Sequence, residues 1–585
     1  MAHILLALRT PAERSAGREP IRPLVEGALA TIQPIGVRRP LTIMEGENAV
    51  LGVSGQHGPG TCVAIEGTLS GALETTVRLP GLVLTASPHA LEAHADSVGS
   101  RTLWFCEAGE TCWVSTSQRA LVHCLGDFRP SESTVGWFLV TGSCGPGLSW
   151  DARIRALPPG ATLRFTAGTQ AATVTTFRRD FVATKPQARL REELLEAIRA
   201  VASTLPEGAG VGLSLSGGLD SRVLLRLAAH PAGLRCFTWG APDSLARPGT
   251  DAAVAKQVAE HLGAPFRFVA IARVAFDEAL NRYVAASEGR VDHVTGYLDG
   301  MELWRSLAEE HDIRVLLRGD EAFGWVPVLT SADVRRSVGA PLLSDFGNAA
   351  SWLSNGLGEL AVPELPKHLQ RRRAETRASW RDRLYQEFRI PSVLAALTTT
   401  KASYIETLNP LIDERILAVV RALRDADRTD KRLFRELERE SLRSIRVPLA
   451  NVDGALPLAV REVAANAAID LESAEATALL SPRLRQYLLA EARRNFDEAK
   501  GPGPTKAGRL RRHLPQPPRL LRRLLRNTVA VETLSVRQVL LRASIMVRTL
   551  RLLRADAQRL AEQPAGPRAI SSADAAIAPR HSSNR

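Results

Sequence analysis

The stretch Val211-Gly-Leu-Ser-Leu-Ser-Gly-Gly-Leu-Asp-Ser-Arg222 decides the fold. Val211 to Leu215 is a short apolar run of the kind that forms a buried strand. From Arg222 to Ala229 the apolar residues return at helical spacing. Between the two lies Ser216-Gly-Gly-Leu-Asp-Ser221. Its paired glycines let the chain turn tightly and approach an anion closely. Amides at the start of the following helix point at that anion, and the helix dipole assists. Ser216 and Ser221 add hydroxyl donors, while Asp220 suits a Mg²⁺ that bridges phosphate oxygens. The chain has no GxxxxGK[ST] segment. A loop that cleaves a γ-phosphate is thereby excluded, and a different nucleotide-phosphate loop is expected.

Working outward, Arg189–Ile198 and Asp251–Leu262 have helical periodicity, whereas Leu234–Thr238, Phe266–Ile271 and Ile313–Leu317 are short strand-like runs. Strands alternating with helices predict a parallel sheet covered on both faces. Residues up to about Phe181 have a different texture. Runs such as Cys62–Ile65, Val77–Leu79, Thr102–Phe105 and Thr162–Thr166, punctuated by Gly, Pro and Ser, predict a β-rich region. Ile4–Leu8 is too short for a signal peptide and no cleavage pattern follows. After about Thr330 the chain reads as helical, Gly501-Pro-Gly-Pro504 as a linker, and Gln563–Arg585 as a disordered tail.

The chain has 585 residues, 45% of them apolar, with 75 Lys+Arg against 62 Asp+Glu, a net charge of +13. That balance excludes a disordered, collagenous or coiled-coil chain, and no apolar run reaches a membrane span. Six cysteines without CxxC spacing suggest a reducing, cytoplasmic setting. Cys62, Cys106, Cys112, Cys124 and Cys144 read as small buried strand residues. The residues from Gly501 onward carry 17 Lys/Arg and four Asp/Glu, so the first 500 are neutral. In that basic region Arg509–Arg526 is arginine-rich. Val536, Val539, Leu540, Ala543, Met546, Leu550 and Leu553 recur at helical spacing, with arginines between them. The competing readings are a helix packed on the rest of the protein and a surface for an anionic membrane or nucleic acid.

Ser216–Ser221 resembles the pyrophosphate loop of ATP pyrophosphatases, which cut ATP between the α and β phosphates and adenylate a substrate. Leu317-Arg-Gly-Asp-Glu-Ala-Phe-Gly324 looks like the GxDExFG segment of asparagine synthetases. Glu406, Pro410–Asp413 and Lys431-Arg-Leu-Phe-Arg435 resemble helical landmarks of the same synthetase domain. Ser115–Leu121 and Ile154–Gly160 resemble elements of the glutaminase-like domain those enzymes carry. The resemblance runs from about Trp104 to Leu456 and points to an asparagine synthetase-like chain.

That resemblance implies an α/β fold in four parts. A degenerate, Ntn-hydrolase-like sandwich occupies 1–185 and an ATP-pyrophosphatase (PP-loop) domain 186–465. A helical, Arg-rich region follows at 466–562, then a tail at 563–585. It implies ATP and Mg²⁺ as cofactors. Leu213, Ser214, Ser216, Gly217, Gly218, Asp220, Ser221, Thr238, Trp239 and Gly319 would bind the nucleotide. Asp220 and Asp320, facing each other at the carboxyl ends of neighbouring strands, would hold metal. Asp220, Asp320, Glu321 and Arg318 would serve catalysis. Asp251 and Lys256 read as structural helix charges. The partners implied are a small-molecule or peptide carboxylate, an amine or ammonia, and a second copy in a homodimer.

The departures from the family matter as much. Glutamine-using relatives expose a cysteine after the initiator methionine; here Ala2 stands there, and no thioester can form without a nucleophile. A scaffold role for the N-terminal region is expected. Leu317-Arg318-Gly319 replaces the glutamate and small residues that precede the family's DE pair. Leu408 stands where the family has arginine, and Arg446–Leu449 lacks its expected basic pattern. ATP handling reads as retained and aspartate recognition as eroded. The expected activity is an AMP-forming amide ligase. The alternatives are a specialised cyclase like the lasso-peptide and β-lactam enzymes, or a non-catalytic nucleotide-binding scaffold.

Overall fold

The computed structural model describes residues 3–10, 20–34, 39–57, 63–69, 74–167, 171–177, 180–181, 187–206, 208, 210–228, 230–439, 445, 456–498 and 532–561. Ala2, Cys62, Ala229, Arg446–Leu449, Gly501–Pro504, Arg509–Arg526 and residues 563–585 lie outside them.

The N-terminal region contains strands β1 (His3–Arg9), β2 (Leu41–Glu45), β3 (Ala49–Ser54), β4 (Ala64–Gly67), β5 (Thr75–Leu79), β6 (Leu82–Ala86), β7 (Ala90–Ala95), β8 (Trp104–Ala108), β9 (Thr111–Ser115), β10 (Arg155–Ala156), β11 (Thr162–Thr166) and β12 (Thr173–Thr175). They form two antiparallel six-stranded sheets, ordered β10-β8-β9-β1-β3-β2 and β12-β11-β7-β6-β5-β4. The apolar run at Ile4–Leu8 is explained by β1 being central, between β3 and β9. Successive strand side chains point to opposite faces. Ile4, Leu6 and Leu8 thus enter the core between the sheets, and Leu5 and Ala7 the core beneath a helical layer. That layer is α1 (Ile21–Thr31), α2 (Gln118–Leu125) and α3 (Glu132–Thr141). Ser117 and Ser131 cap α2 and α3 by accepting from the Ala120 and Thr134 amides.

The second half runs α4 (Gln187–Ala202), β13 (Val211–Ser214), α5 (Leu219–Leu227), β14 (Arg235–Gly240), α6 (Asp251–His261), β15 (Phe266–Ala270), α7 (Phe276–Ser287), α8 (Glu302–Glu309) and β16 (Val315–Leu317). With a further strand, β17 (Glu406–Leu408), its strands make a five-stranded sheet ordered β15-β14-β13-β16-β17, with every neighbouring pair parallel. The expected parallel sheet is present, with one strand unforeseen: β17 at an edge. Glu406, read as part of a helical landmark, lies in this strand. Three residues are too few for a period-2 pattern, and the flanking helices masked it. The helix after β13 begins at Leu219, not Arg222, so Asp220 and Ser221 occupy its first turn.

Beyond β16 the chain is mostly helical, as expected. Helix α9 (Arg377–Leu384) runs on through a wide, π-helical segment over Tyr385–Leu394 into α10 (Ala395–Ala402). Pro391 sits inside that segment and has no N–H to give the ladder. Helices α11 (Glu414–Ala422), α12 (Arg432–Arg439), α13 (Val460–Leu471) and α14 (Pro482–Glu498) follow.

The periodic segment near residue 540 forms α15 (Val536–Ala561). It is a core helix. Val539, Leu540, Met546, Leu550 and Leu553 are fully buried in the same core as α1, α2 and α7. Three of its charged residues, Arg542, Arg548 and Asp556, are buried. Arg542 donates to Asp292 and to the Leu139 and Val140 carbonyls. Arg548 meets Asp470, Asn466 and Asn281, and Asp556 takes a two-pronged pair from Arg119 at 2.7 and 3.0 Å. Helix α15 thereby ties the sandwich's helical layer to the half built on the parallel sheet. Among the described residues no helix is long and apolar enough to cross a membrane.

Candidate functional site

The site lies at the carboxyl ends of β13 and β16. Leu213 is buried in β13, and Ser214, half-buried, ends it. Gly217 then adopts φ +66°, the left-handed region where glycine is at ease, and the chain turns into α5. Gly218 is the N-cap, and no side chain caps the helix there. The turn is held from within. Ser221 Oγ accepts from the Ser216 amide and donates to the Gly218 carbonyl, both at 3.3 Å, and Ser216 Oγ accepts from the Gly218 amide. Buried Arg222 braces it from behind by donating to the Gly217 carbonyl at 2.7 Å. A rigid turn with an uncapped helix start is an anion cradle.

The loop after β16 packs directly on this turn. A side chain at Gly319 would meet the Ser221 amide at 2.7 Å and the Asp220 carbonyl carbon at 2.9 Å. Only glycine permits that approach, which sets Asp320 and Glu321 beside α5. Lys431 joins them from the turn just before α12. Its ammonium donates to Asp220 Oδ2 at 2.5 Å and to Glu321 Oε1 at 3.1 Å, and it lies 5.3 Å from the centre of the Trp325 ring. Asp430 and Lys431 both have positive φ, a conformation that residues other than glycine seldom adopt. Asp430 is pinned there by its amide donating to the Trp325 carbonyl at 2.8 Å. Glu321 also accepts from the Trp325 indole at 2.9 Å and the Tyr385 hydroxyl at 3.0 Å.

Burial raises the Asp220 carboxyl to about 6, with Glu321 adding to the rise and Lys431 opposing both. Burial would raise Glu321 too, but the Lys431 ammonium and the Trp325 indole bring it down to about 2. Burial lowers Lys431, and its two carboxylates more than restore it. Two acids therefore share one cation, and the strain of sharing falls on Asp220.

Asp320 is engaged differently: Arg318 donates to its Oδ1 at 3.4 Å. Arg318 is thus paired with the neighbouring acid. Behind it stands Lys401 on α10, 3% exposed, whose Nζ donates to the Leu397 carbonyl and lies 5.5 Å from the Trp304 ring centre. Burial pushes this amine well below the usual lysine range; Arg318 adds to the fall and Asp320 opposes it. Thr238 donates to the Leu215 carbonyl, so its hydroxyl ties β14 to the turn. Trp239 meets Trp304 edge-on at 5.4 Å. Asp251 sits in the first turn of α6, and Lys256 makes an exposed 3.7 Å pair with Glu260.

Lys431, Trp325, Tyr385 and Lys401 do not stand out as site residues in the sequence. Lys431 is visible there only as part of a helical landmark. The others come from segments with no local signature, brought in by the fold.

The residues fit Mg²⁺ on its ordinary terms. That ion takes one or two carboxylates plus phosphate oxygens rather than an all-protein cage. Asp220 stands in the first turn of α5, after β13, and Asp320 follows the adjacent strand β16; no group of three or more His, Cys, Asp or Glu suited to a metal occurs among the described residues.

Comparison with known proteins finds a family model over part of the chain. Residues 190–452 match the family model for asparagine synthase. No curated protein matches the chain. Among solved structures, NMN synthetase from Francisella tularensis aligns at 17% identity over 24% of this chain and 56% of its own length, with a TM-score of 0.16. Glutamine phosphoribosylpyrophosphate amidotransferase from B. subtilis aligns at 9% identity over 47% of this chain and 82% of its own, with a TM-score of 0.18. At such TM-scores neither likeness carries weight for the function of this chain.

Proposed function

Starting from a chain that carries an asparagine synthase-family domain over residues 190–452, we propose that it is an ATP-dependent, AMP-forming amide ligase. The observation that carries this reading is the convergence of the uncapped Ser216–Ser221 turn with Asp220, Glu321 and Lys431.

In this reading the amides of the turn and the Ser216 and Ser221 hydroxyls hold the ATP phosphates. Asp220 and Asp320 would hold Mg²⁺, which supplies charge neutralisation of the leaving pyrophosphate. Lys431 places a fixed cation where negative charge grows as a carboxylate attacks the α-phosphate. Glu321, held by the Trp325 indole and the Tyr385 hydroxyl, keeps that ammonium in position. An amine or ammonia then displaces AMP and forms the amide.

The acyl substrate is proposed to be larger than aspartate. Arg318 makes only a long 3.4 Å pair with Asp320 and stays 26% exposed, with the buried amine of Lys401 nearby, so the Arg318 guanidinium keeps donors for a substrate carboxylate by paired, charge-assisted bonds. The N-terminal sandwich is proposed as a scaffold with no glutaminase activity. In support, the sandwich's cysteines among the described residues, Cys106, Cys112, Cys124 and Cys144, are buried and unbridged, and burial raises each thiol, which disfavours the thiolate needed for attack. The same free thiols suit a reducing cytoplasm.

The experiment is AMP formation across a panel of carboxylic acids and amines, with the native protein beside Arg318→Ala. Turnover is expected with acids larger than aspartate, and loss of that selectivity in Arg318→Ala. Efficient asparagine formation, unchanged by the substitution, would restore a plain asparagine synthetase.

A further inference from the structure

A second site lies away from the nucleotide turn, in the cleft between the sandwich and the synthetase half. A cavity of about 180 Å³ opens there, with Trp104, Leu148, Pro159, Arg290, Pro391 and Ser392 in its wall. Arg290 is 3% exposed, yet its hydrogen bonds go to hydroxyls and not to a carboxylate. It donates to Thr102 Oγ1 at 2.6 Å and Thr399 Oγ1 at 3.3 Å, and its guanidinium carbon lies 4.9 Å from the Trp104 ring centre. Glu288, two residues away, spends its carboxylate on the Ser117 hydroxyl and the Gln118 amide. The other charged groups of the wall are committed elsewhere: Arg101 to Glu406, and Glu387 to Arg383. Glu288 acts on the Arg290 guanidinium only through space, so among the described residues the cavity carries one buried positive charge with no direct ion pair.

A charge buried that deeply is expensive unless a partner meets it. The Trp104 face offsets part of the cost. The guanidinium has five N–H donors in a flat fork, which matches a carboxylate two-to-two. Beside His368 and Ser392, much of the remaining wall is apolar, with Leu148, Leu157 and four prolines, which a short carbon chain covers better than water does. We propose that this cavity binds a small organic carboxylate, seated on Arg290 with its chain against that wall. Cys144 also lines the cavity, but burial holds its thiol up at about 12, so the site binds and does not react.

The site is distinct from the nucleotide turn but one helix away from it. Thr399 and Lys401 lie on α10. The π-helical segment that gives Pro391 and Ser392 to the cavity begins at Tyr385, which touches Glu321.

The test uses the full chain without ATP and butyrate as the probe, titrated by calorimetry and by ligand-detected NMR. Saturable binding is expected, at least ten-fold weaker in Arg290→Met. Ser392→Trp should weaken it equally, because it fills the cavity while keeping the charge; it decides the matter if Arg290→Met does not fold. Inorganic phosphate should bind at least ten-fold less well than butyrate. Asp220→Ala should bind butyrate like the native protein, which keeps this result separate from the proposed ligase activity. No saturable binding by the native protein, or binding unchanged in both cavity variants, would overturn the proposal. Loss of butyrate binding in Asp220→Ala would also overturn it, by placing the carboxylate at the nucleotide site.

Discussion

Replacing Lys431 with methionine removes a single ammonium and leaves two carboxylates facing each other. Asp220 and Glu321 now meet that ammonium at 2.5 and 3.1 Å, and its side chain is 10% exposed. The geometry sets two separate consequences. Removing one donor aimed at developing charge in a sheltered site typically costs a factor of about 10²–10³ in kcat, or about 3–4 kcal/mol. Breaking a buried ion pair from one side costs about 3–5 kcal/mol of stability. Here the cost should be about 2 kcal/mol, because a proton moving onto Asp220, already raised to about 6, relieves the repulsion. The assay is pyrophosphate release with saturating ATP and an accepted acid, beside urea unfolding of both proteins. A kcat drop of at least 100-fold with a small rise in KM for ATP is expected. A kcat within three-fold of native, in a folded Lys431→Met protein, would refute the role given to this cation.

Three further outcomes are tied to named groups. Asp220 has its carboxyl raised to about 6 in the metal-free protein, so turnover limited by uptake of Mg²⁺ should fall as pH drops through 6, where a proton on Asp220 competes with Lys431 and with the metal proposed there. The stability contribution runs the other way, since a raised carboxyl favours folding below its unfolded value near 3.8 and loses that contribution as pH rises through 6; a pH–rate profile beside pH-dependent unfolding separates the two. Asp556→Asn strands Arg119 in the interior and should lower unfolding stability by about 3 kcal/mol, with Arg119→Met/Asp556→Leu costing less, read by urea titration. Incubation with glutamine should release no glutamate above background, and hydrolysis blocked by a cysteine-directed reagent would overturn the scaffold reading of the N-terminal region.

The parts of the site legible in the sequence are those built from one contiguous stretch. Val211–Ser221 reads directly because strand, turn and helix start are local events, and the Asp320 segment reads because it ends another strand. The parts that stay hidden are joined by long-range packing. Lys431 reaches Asp220 across more than 200 residues, with its backbone held at positive φ beside Asp430, which bonds to Trp325. Tyr385 arrives on a π-helical segment that no periodicity announces. Helix α15 illustrates the same limit from the other side. Its period is plain, but its arginines leave a packed helix and a surface-binding face both open. Only the fold reveals Asp292 and Asp470 waiting for them in the interior. Apolar residues all round part of that helix, Leu541, Ile545 and Val547 included, are the available sign of full burial.

The most direct test of the central claim is where ATP is cut. Native protein, Mg²⁺, ATP labelled at the α-phosphate and the panel of carboxylic acids are incubated together, and the nucleotide product is separated. AMP is the expected product, acid-dependent and equal in amount to the pyrophosphate released, and it should vanish in Asp220→Ala. ADP with free phosphate as the product, or AMP formation undiminished in Asp220→Ala, would contradict an AMP-forming ligase built on this turn.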